Sequence, residues 1–112
     1  MVDPPDSSDP PRIQIVPSAR GDRVALIGQI DLDNARETES ALIDAASSGG
    51  PLTLDLLGLT YLDSQGVAML LRLAERARLN GGSLTLANPR GMVLRVLQLT
   101  HMGEAAAIIV ES

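Results

Sequence analysis

Cysteine is absent from this sequence, and so are lysine, phenylalanine and tryptophan. Without cysteine there is no disulfide, no thiol redox chemistry and no thiolate metal site. Tyr61 is the single aromatic residue, which removes the stacking platforms used to hold single-stranded nucleic acid. The one histidine, His101, cannot build a metal cluster alone. Positive charge is scarce as well: nine Arg stand against fourteen Asp and Glu, for a formal net charge of -5. Binding to a phosphate backbone needs a basic face, so direct contact with nucleic acid is not expected. No basic-then-apolar leader and no run of about 18 apolar residues occurs, which points to a soluble, cytoplasmic protein without membrane contact.

What remains is an aliphatic chain. Apolar residues make up 45% of 112 positions, enough for one domain with one modest two-layer core. The opening "MVDPPDSSDPP" holds four of the seven prolines and reads as a disordered lead-in over residues 1–11, with the domain spanning 12–112.

Periodicity outlines the domain. "RIQIV" (Arg12 to Val16) and "RVALIGQI" (Arg23 to Ile30) read as a strand hairpin around a "SARGD" turn. A helix is expected from about Asp33 to Ala46, with Leu32, Ala35, Leu42 and Ala45 near one face. Thr38 and Glu39 interrupt that stripe. Leu52 to Leu56 alternates as a strand and is followed by a connection. The clearest helix is Gln65 to Asn80, with Val67, Leu70, Leu71, Ala74 and Ala77 as its apolar stripe and glycines after it. Strand Ser83 to Asn88, helix Pro89 to Thr100 and strand Ala106 to Glu111 complete the chain. Alternation of Leu52, Leu54 and Leu56 with Thr53 and Asp55 implies a sheet covered on one face only. The expected fold is therefore α/β: a small mixed sheet of about five strands with helices packed mainly on one face.

In such sheets chemistry collects where strands end and helices begin. Two junctions here carry carboxylates, Asp31-Leu32-Asp33 and Leu62-Asp63-Ser64. Parallel neighbouring strands would bring Asp31 and Asp63 to one edge as an acidic rim around Ser64. Helix capping by Asp63 and Ser64 is the plainest reading of that junction. Gly66 fits either tight packing or a bare surface that lets a partner approach Ser64. A catalytic serine is disfavoured, because Ser64 has no base nearby in sequence and the G-x-S-x-G elbow is absent. A magnesium site of Asp31, Asp33 and Asp63 is less expected than a solvated rim. No enzyme activity, metal or cofactor is expected.

The stretch "LDLLGLTYLDSQG" resembles the STAS domain family, and within it the bacterial anti-sigma factor antagonists, which carry an apolar-Asp-Ser-Ser/Thr-Gly signature before a long helix. "VALIGQIDLDNA" (Val24 to Ala35) is similar to the family's Gly-Glu-Leu/Ile-Asp segment. "GGSLTLANPRGMVLRVLQLTHMG" (Gly81 to Gly103) is similar to its Gly-Gly strand, Asn-Pro loop and following helix. The matches run in order over roughly residues 12 to 110. The resemblance implies phosphorylation at Ser64 by a partner anti-sigma factor that is a serine kinase. It implies that the unphosphorylated protein binds that partner and frees a sigma factor for transcription, and that a phosphatase resets the switch. Asp31, Asp33, Asp63, Ser64, Gln65 and Gly66 are the expected partner-binding residues. The free backbone N–H groups near Gln65 to Val67 would favour a phosphate. Gln65 replaces the family's small Ser or Thr, and Gln29 its Glu. The sequence stops at "IIVES", where the family commonly continues into a last helix; the implied state is a monomer or weak homodimer. The alternative is a STAS adaptor without a kinase switch, in a signalling or lipid-transport ATPase complex.

Overall fold

Strands form where aliphatic residues alternate, and the register between them fixes which loops meet. The structure, a computed structural model, describes residues 12–110, so the lead-in expected at residues 1–11 lies outside it. β1 (Ile13–Pro17) and β2 (Arg23–Ile30) form an antiparallel hairpin with Ile15 opposite Leu26. α1 (Ala35–Ala46), β3 (Pro51–Asp55), β4 (Leu59–Leu62), α2 (Ser64–Leu79), β5 (Ser83–Ala87), α3 (Gly91–Leu99) and β6 (Ala107–Ile109) follow. The main strand order is β1-β2-β3-β5-β6, and only the β1–β2 pairing is antiparallel.

The sheet has six strands rather than about five, because the expected connection after Leu56 contains β4. β3 and β4 lie end to end beside β2: β3 pairs with Arg23–Ala25 and β4 with Gly28–Ile30. Between them the chain steps aside in a turn, closed by Leu59 N–H to the Leu56 carbonyl at 3.0 Å and Leu57 N–H to Asp55 Oδ1 at 3.1 Å. Gly28 sits at the matching register shift with φ +117°, where any Cβ would overlap the Arg12 carbonyl oxygen. Only glycine relieves both constraints.

One sheet face is covered. Val24, Leu26, Leu52, Leu54, Leu84 and Leu86 are buried beneath the helices, each contributing on the order of 1.5–3 kcal/mol. The alternate positions Thr53, Asp55 and Thr85 are half-buried on the other face. The helices differ from expectation in two stripes. α1 starts at Ala35, two residues later than expected, and Leu32 stands in the preceding loop, 70% exposed. Thr38 belongs to the buried stripe after all, because its hydroxyl donates to the Asn34 carbonyl at 2.8 Å and needs no water. In α2, Leu71 is exposed and Met69 and Leu73 are buried in its place. Glu39 faces across to α2, where its Oε1 accepts from Arg72 Nη2 at 2.7 Å.

Asp55 gives the open sheet face a pH dependence. Burial pushes its carboxyl up, but the Leu57 N–H, Asn88 and Arg23 hydrogen bonds and the Arg23 charge together hold it below the usual aspartate value. A depressed folded value contributes stability above the unfolded pKa of about 4, and that stability is lost as pH falls through the folded value. Asp55→Asn should therefore be less stable than wild type at neutral pH. The gap should shrink in the acid range, as read by urea denaturation at pH 7 and pH 3.

Candidate functional site

The parallel pairing of β2 with β4 ends at Ile30 opposite Leu62, so both carboxylate junctions emerge at one edge. Asp63 ties them together. Its Oδ1 accepts from Gln65 N–H at 2.9 Å and Gly66 N–H at 3.0 Å, which makes it the N-cap of α2. Its Oδ2 accepts from Leu32 N–H at 3.0 Å, across to the β2–α1 loop. Its own N–H donates to the Ile30 carbonyl at 3.2 Å, and its carbonyl accepts from Val67 N–H at 3.0 Å. The cap alone is worth about 1 kcal/mol.

Asp63 thus takes the capping duty, and Ser64 is left as the first residue of α2. Ser64 is exposed, and among the described residues its hydroxyl has no hydrogen-bond partner. Gln65 beside it is exposed too. Gly66 is buried: a Cβ there would overlap Leu62 Cδ1 and lie 3.0 Å from Ile30 Cγ2. Of the two readings of Gly66, close packing of the first helical turn on β2 and β4 is the one the geometry carries. The backbone donors expected to receive a phosphate are already engaged, Gln65 and Gly66 by the Asp63 carboxylate and Val67 by its carbonyl.

The rim is less acidic than expected. Asp31 is 8% exposed; its Oδ1 accepts from Asp33 N–H at 3.0 Å, and its Oδ2 pairs with the Arg12 guanidinium. Arg12 also reaches Asp33 at 3.7 Å and Gln29 Oε1 at 3.2 Å. Gln29 therefore receives an arginine that already carries one close carboxylate. Asp31, Asp33 and Asp63 set their oxygens against backbone donors and Arg12. Among the described residues no three His, Asp or Glu side chains gather as a metal site. His101 follows α3, exposed, with Nδ1 3.9 Å from Glu104.

Two residues central to this edge were not read from the sequence. Arg12 pairs with a rim nineteen positions away, a contact that only the β1–β2 register creates. Asn34, 8% exposed, clamps the β2–α1 loop: its Oδ1 accepts from Asp31 N–H at 3.0 Å and its Nδ2 donates to the Gln29 carbonyl at 2.8 Å. The available signal was an Asn at the second position of the expected helix, a residue type that favours helix starts over helix interiors. Asn34→Ala leaves both backbone groups without that partner and should cost about 1–3 kcal/mol in urea denaturation. Below this loop a groove of about 830 Å³ runs between α1 and α2, lined by Leu32, Arg36, Ile43, Gln65 and Arg72 among others.

An exposed serine opens a helix at the parallel edge of a one-sided mixed sheet, and this candidate edge of a small α/β domain is a surface rather than an enclosed pocket. The chain belongs to the STAS domain family: the family model described as "Mlab, STAS domain" matches residues 14–111. A curated relative, the anti-sigma-B factor antagonist of Bacillus subtilis (strain 168), is 27% identical over 90 residues, covering 80% of this chain and 83% of that protein. Among solved structures, an anti-sigma factor antagonist from Mycobacterium paratuberculosis aligns with TM-score 0.68 at 23% identity, over 87% of this chain and 85% of that one. The Bacillus cell-fate determinant SpoIIAA in its phosphorylated form aligns with TM-score 0.63 at 20% identity, over 88% and 92%. The structural likenesses establish the α/β STAS fold, and the sequence relative makes the chain a homologue of anti-sigma factor antagonists, which are regulatory proteins. Among the described residues no helix is long and apolar enough to cross a membrane.

Proposed function

We propose that this protein is an anti-sigma factor antagonist: residues 12–112 form a domain that binds an anti-sigma factor serine kinase and is switched off by phosphorylation of Ser64. The observation that carries the reading is the division of labour at the start of α2. Asp63 alone caps the helix, so the exposed Ser64 hydroxyl is free to accept a phosphoryl group without loss of the cap. The relatives agree in kind, one being an anti-sigma-B factor antagonist and another known in a phosphorylated form.

A phosphoserine here would add about −1.5 to −2 charges beside Asp63. With the Gln65, Gly66 and Val67 N–H donors engaged by Asp63, the phosphate is directed to solvent, where an apposed partner must meet it. Partner release then follows from local charge and bulk rather than from refolding. Asp31, Asp33, Asp63, Ser64 and Gln65, with the backbone at Gly66, form the contact surface, and a phosphatase returns the protein to its binding state. The test is binding to a candidate anti-sigma serine kinase in the presence of ATP or of a non-hydrolysable analogue. The complex should persist with the analogue and dissociate with ATP; equal persistence in both would overturn the reading.

A second reading has one observation in its favour. Gln65 is exposed directly beside Ser64, and a long amide there narrows the approach of a kinase cleft. On that reading the protein is an adaptor of a signalling or lipid-transport ATPase complex, bound through the same edge without a switch. Its complex would be indifferent to ATP.

A further inference from the structure

We propose that Leu32 is an apolar anchor for the kinase that acts on Ser64, and that Asp63 is the positioning residue that holds Leu32 in register with the phosphoacceptor. This rests on the reading of Ser64 as the acceptor and names how that same site is recognised. Leu32 is 70% exposed, a value that only Leu99 matches among the large apolar side chains of the described residues. It lies in a loop that the core does not need, since α1 buries Ala35, Thr38, Leu42 and Ala46 instead. Its backbone is nevertheless fixed. Leu32 N–H donates to Asp63 Oδ2 at 3.0 Å, while the other oxygen of the same carboxylate fixes the first turn of α2 at Gln65 and Gly66. One side chain therefore sets the loop and the acceptor helix against each other. Asp31 and Asn34 stiffen the loop from the other side, through Asp33 N–H and the Gln29 carbonyl. Leu32 and Gln65 line the same groove between α1 and α2.

A rigid, exposed leucine one hydrogen bond from the acceptor segment has the properties of an interface anchor: large apolar area, small ordering cost on binding, and a fixed distance to the reacting hydroxyl. The kinase surface that fits it is an apolar pocket beside its catalytic cleft. Docking of this kind acts on encounter rather than on phosphoryl transfer, so its loss raises KM for the protein substrate and leaves kcat in place.

Asparagine separates positioning from capping. Asp63→Asn keeps a good N-cap oxygen. Its amide nitrogen cannot accept the Leu32 N–H. The experiment is steady-state phosphorylation by the cognate anti-sigma serine kinase for wild type, Leu32→Ala, Asp63→Asn and the double variant, with Leu99→Ala as the equally exposed control and thermal melting of each. Leu32→Ala should raise KM about tenfold with kcat and melting temperature unchanged, and Leu99→Ala should match wild type. Asp63→Asn should raise KM several-fold, and in the Leu32→Ala background should raise it little further, because it acts through Leu32. Unchanged KM in Leu32→Ala overturns the anchor. Fully multiplicative effects of the two substitutions overturn the positioning role of Asp63 and leave it a structural cap. Failure of the underlying reading is separate: wild type itself would then take no phosphate at Ser64.

Discussion

Ser64→Ala should remain bound to its anti-sigma partner in the presence of ATP, whereas the phosphorylated wild type should bind at least about a hundredfold more weakly. The size follows from where the charge goes. Like charges or an unpaired charge forced into an interface cost several kcal/mol, and each 1.4 kcal/mol is tenfold in affinity. The phosphate at Ser64 gains little from the helix, because Gln65 and Gly66 N–H already serve Asp63 Oδ1 and Val67 N–H serves the Asp63 carbonyl. It stays outside, next to a carboxylate. Ser64→Asp carries one charge and a shorter reach, so a loss nearer tenfold is expected. Calorimetric titration of each form against the partner reads the series. The alanine variant should keep wild-type melting behaviour, since among the described residues the exposed hydroxyl has no hydrogen-bond partner. Equal affinities of phosphorylated and unphosphorylated protein would remove the switch.

The second large effect is on stability. Gly28→Ala should destabilise the fold by about 2–5 kcal/mol, close to the whole stability of a marginal domain of this size. Two costs act together. The backbone at Gly28 has φ +117°, which an L side chain rarely adopts, and the new methyl would overlap the Arg12 carbonyl oxygen, a backbone atom that cannot rotate away. Relief requires β1 to move off β2, and that breaks the 2.7 Å hydrogen bond from Gln29 N–H to the same carbonyl. Arg12 would withdraw from Asp31, so the edge around Ser64 should lose its geometry along with its stability. Urea denaturation gives the first readout. A gain of affinity or an unchanged midpoint would show that β1 slides freely there.

Much of the domain was legible because its pattern is simple. Leu52, Leu54 and Leu56 alternate with polar neighbours since one sheet face meets helices and the other meets water. The pairing of the two carboxylate junctions followed from the same parallel geometry, which the Ile30–Leu62 register supplies. β4 was hidden because the strand pattern restarts after a turn at Leu56 to Leu59, and Gly58 there reads as punctuation. Gly58 is in fact placed against the Ile27 side chain, where a Cβ would lie 3.1 Å from Cγ1. Periodicity places Leu32 near the apolar stripe of α1 because it says nothing of where the first turn begins. The Asn34 clamp and the Asp63–Leu32 bond delay that turn to Ala35. Leu71 was misplaced for a related reason: two adjacent leucines fit nearly the same stripe, and only the packing of α2 on α1 and the sheet chooses Leu70 and Leu73. Arg12 required tertiary structure outright, since its partner is set by hairpin register and not by spacing.

The role of Asp63 is the sharpest revision of the site. Capping and phosphorylation compete for a residue if one serine must do both. Here the carboxylate caps, the neighbouring hydroxyl is presented, and the same carboxylate holds the adjoining loop. Asp33, by contrast, is largely exposed and only 3.7 Å from Arg12, an interaction worth little in solvent.

Everything proposed for this edge turns on Ser64 as the switch. The most direct measurement of that switch is mass spectrometry of the peptide carrying Ser64 after incubation with the partner anti-sigma serine kinase and ATP. One phosphoryl group on Ser64, absent from Ser64→Ala, is the predicted result. A partner that binds and hydrolyses ATP yet leaves Ser64 unmodified, or places the phosphate on Ser47 or Ser48, would contradict it.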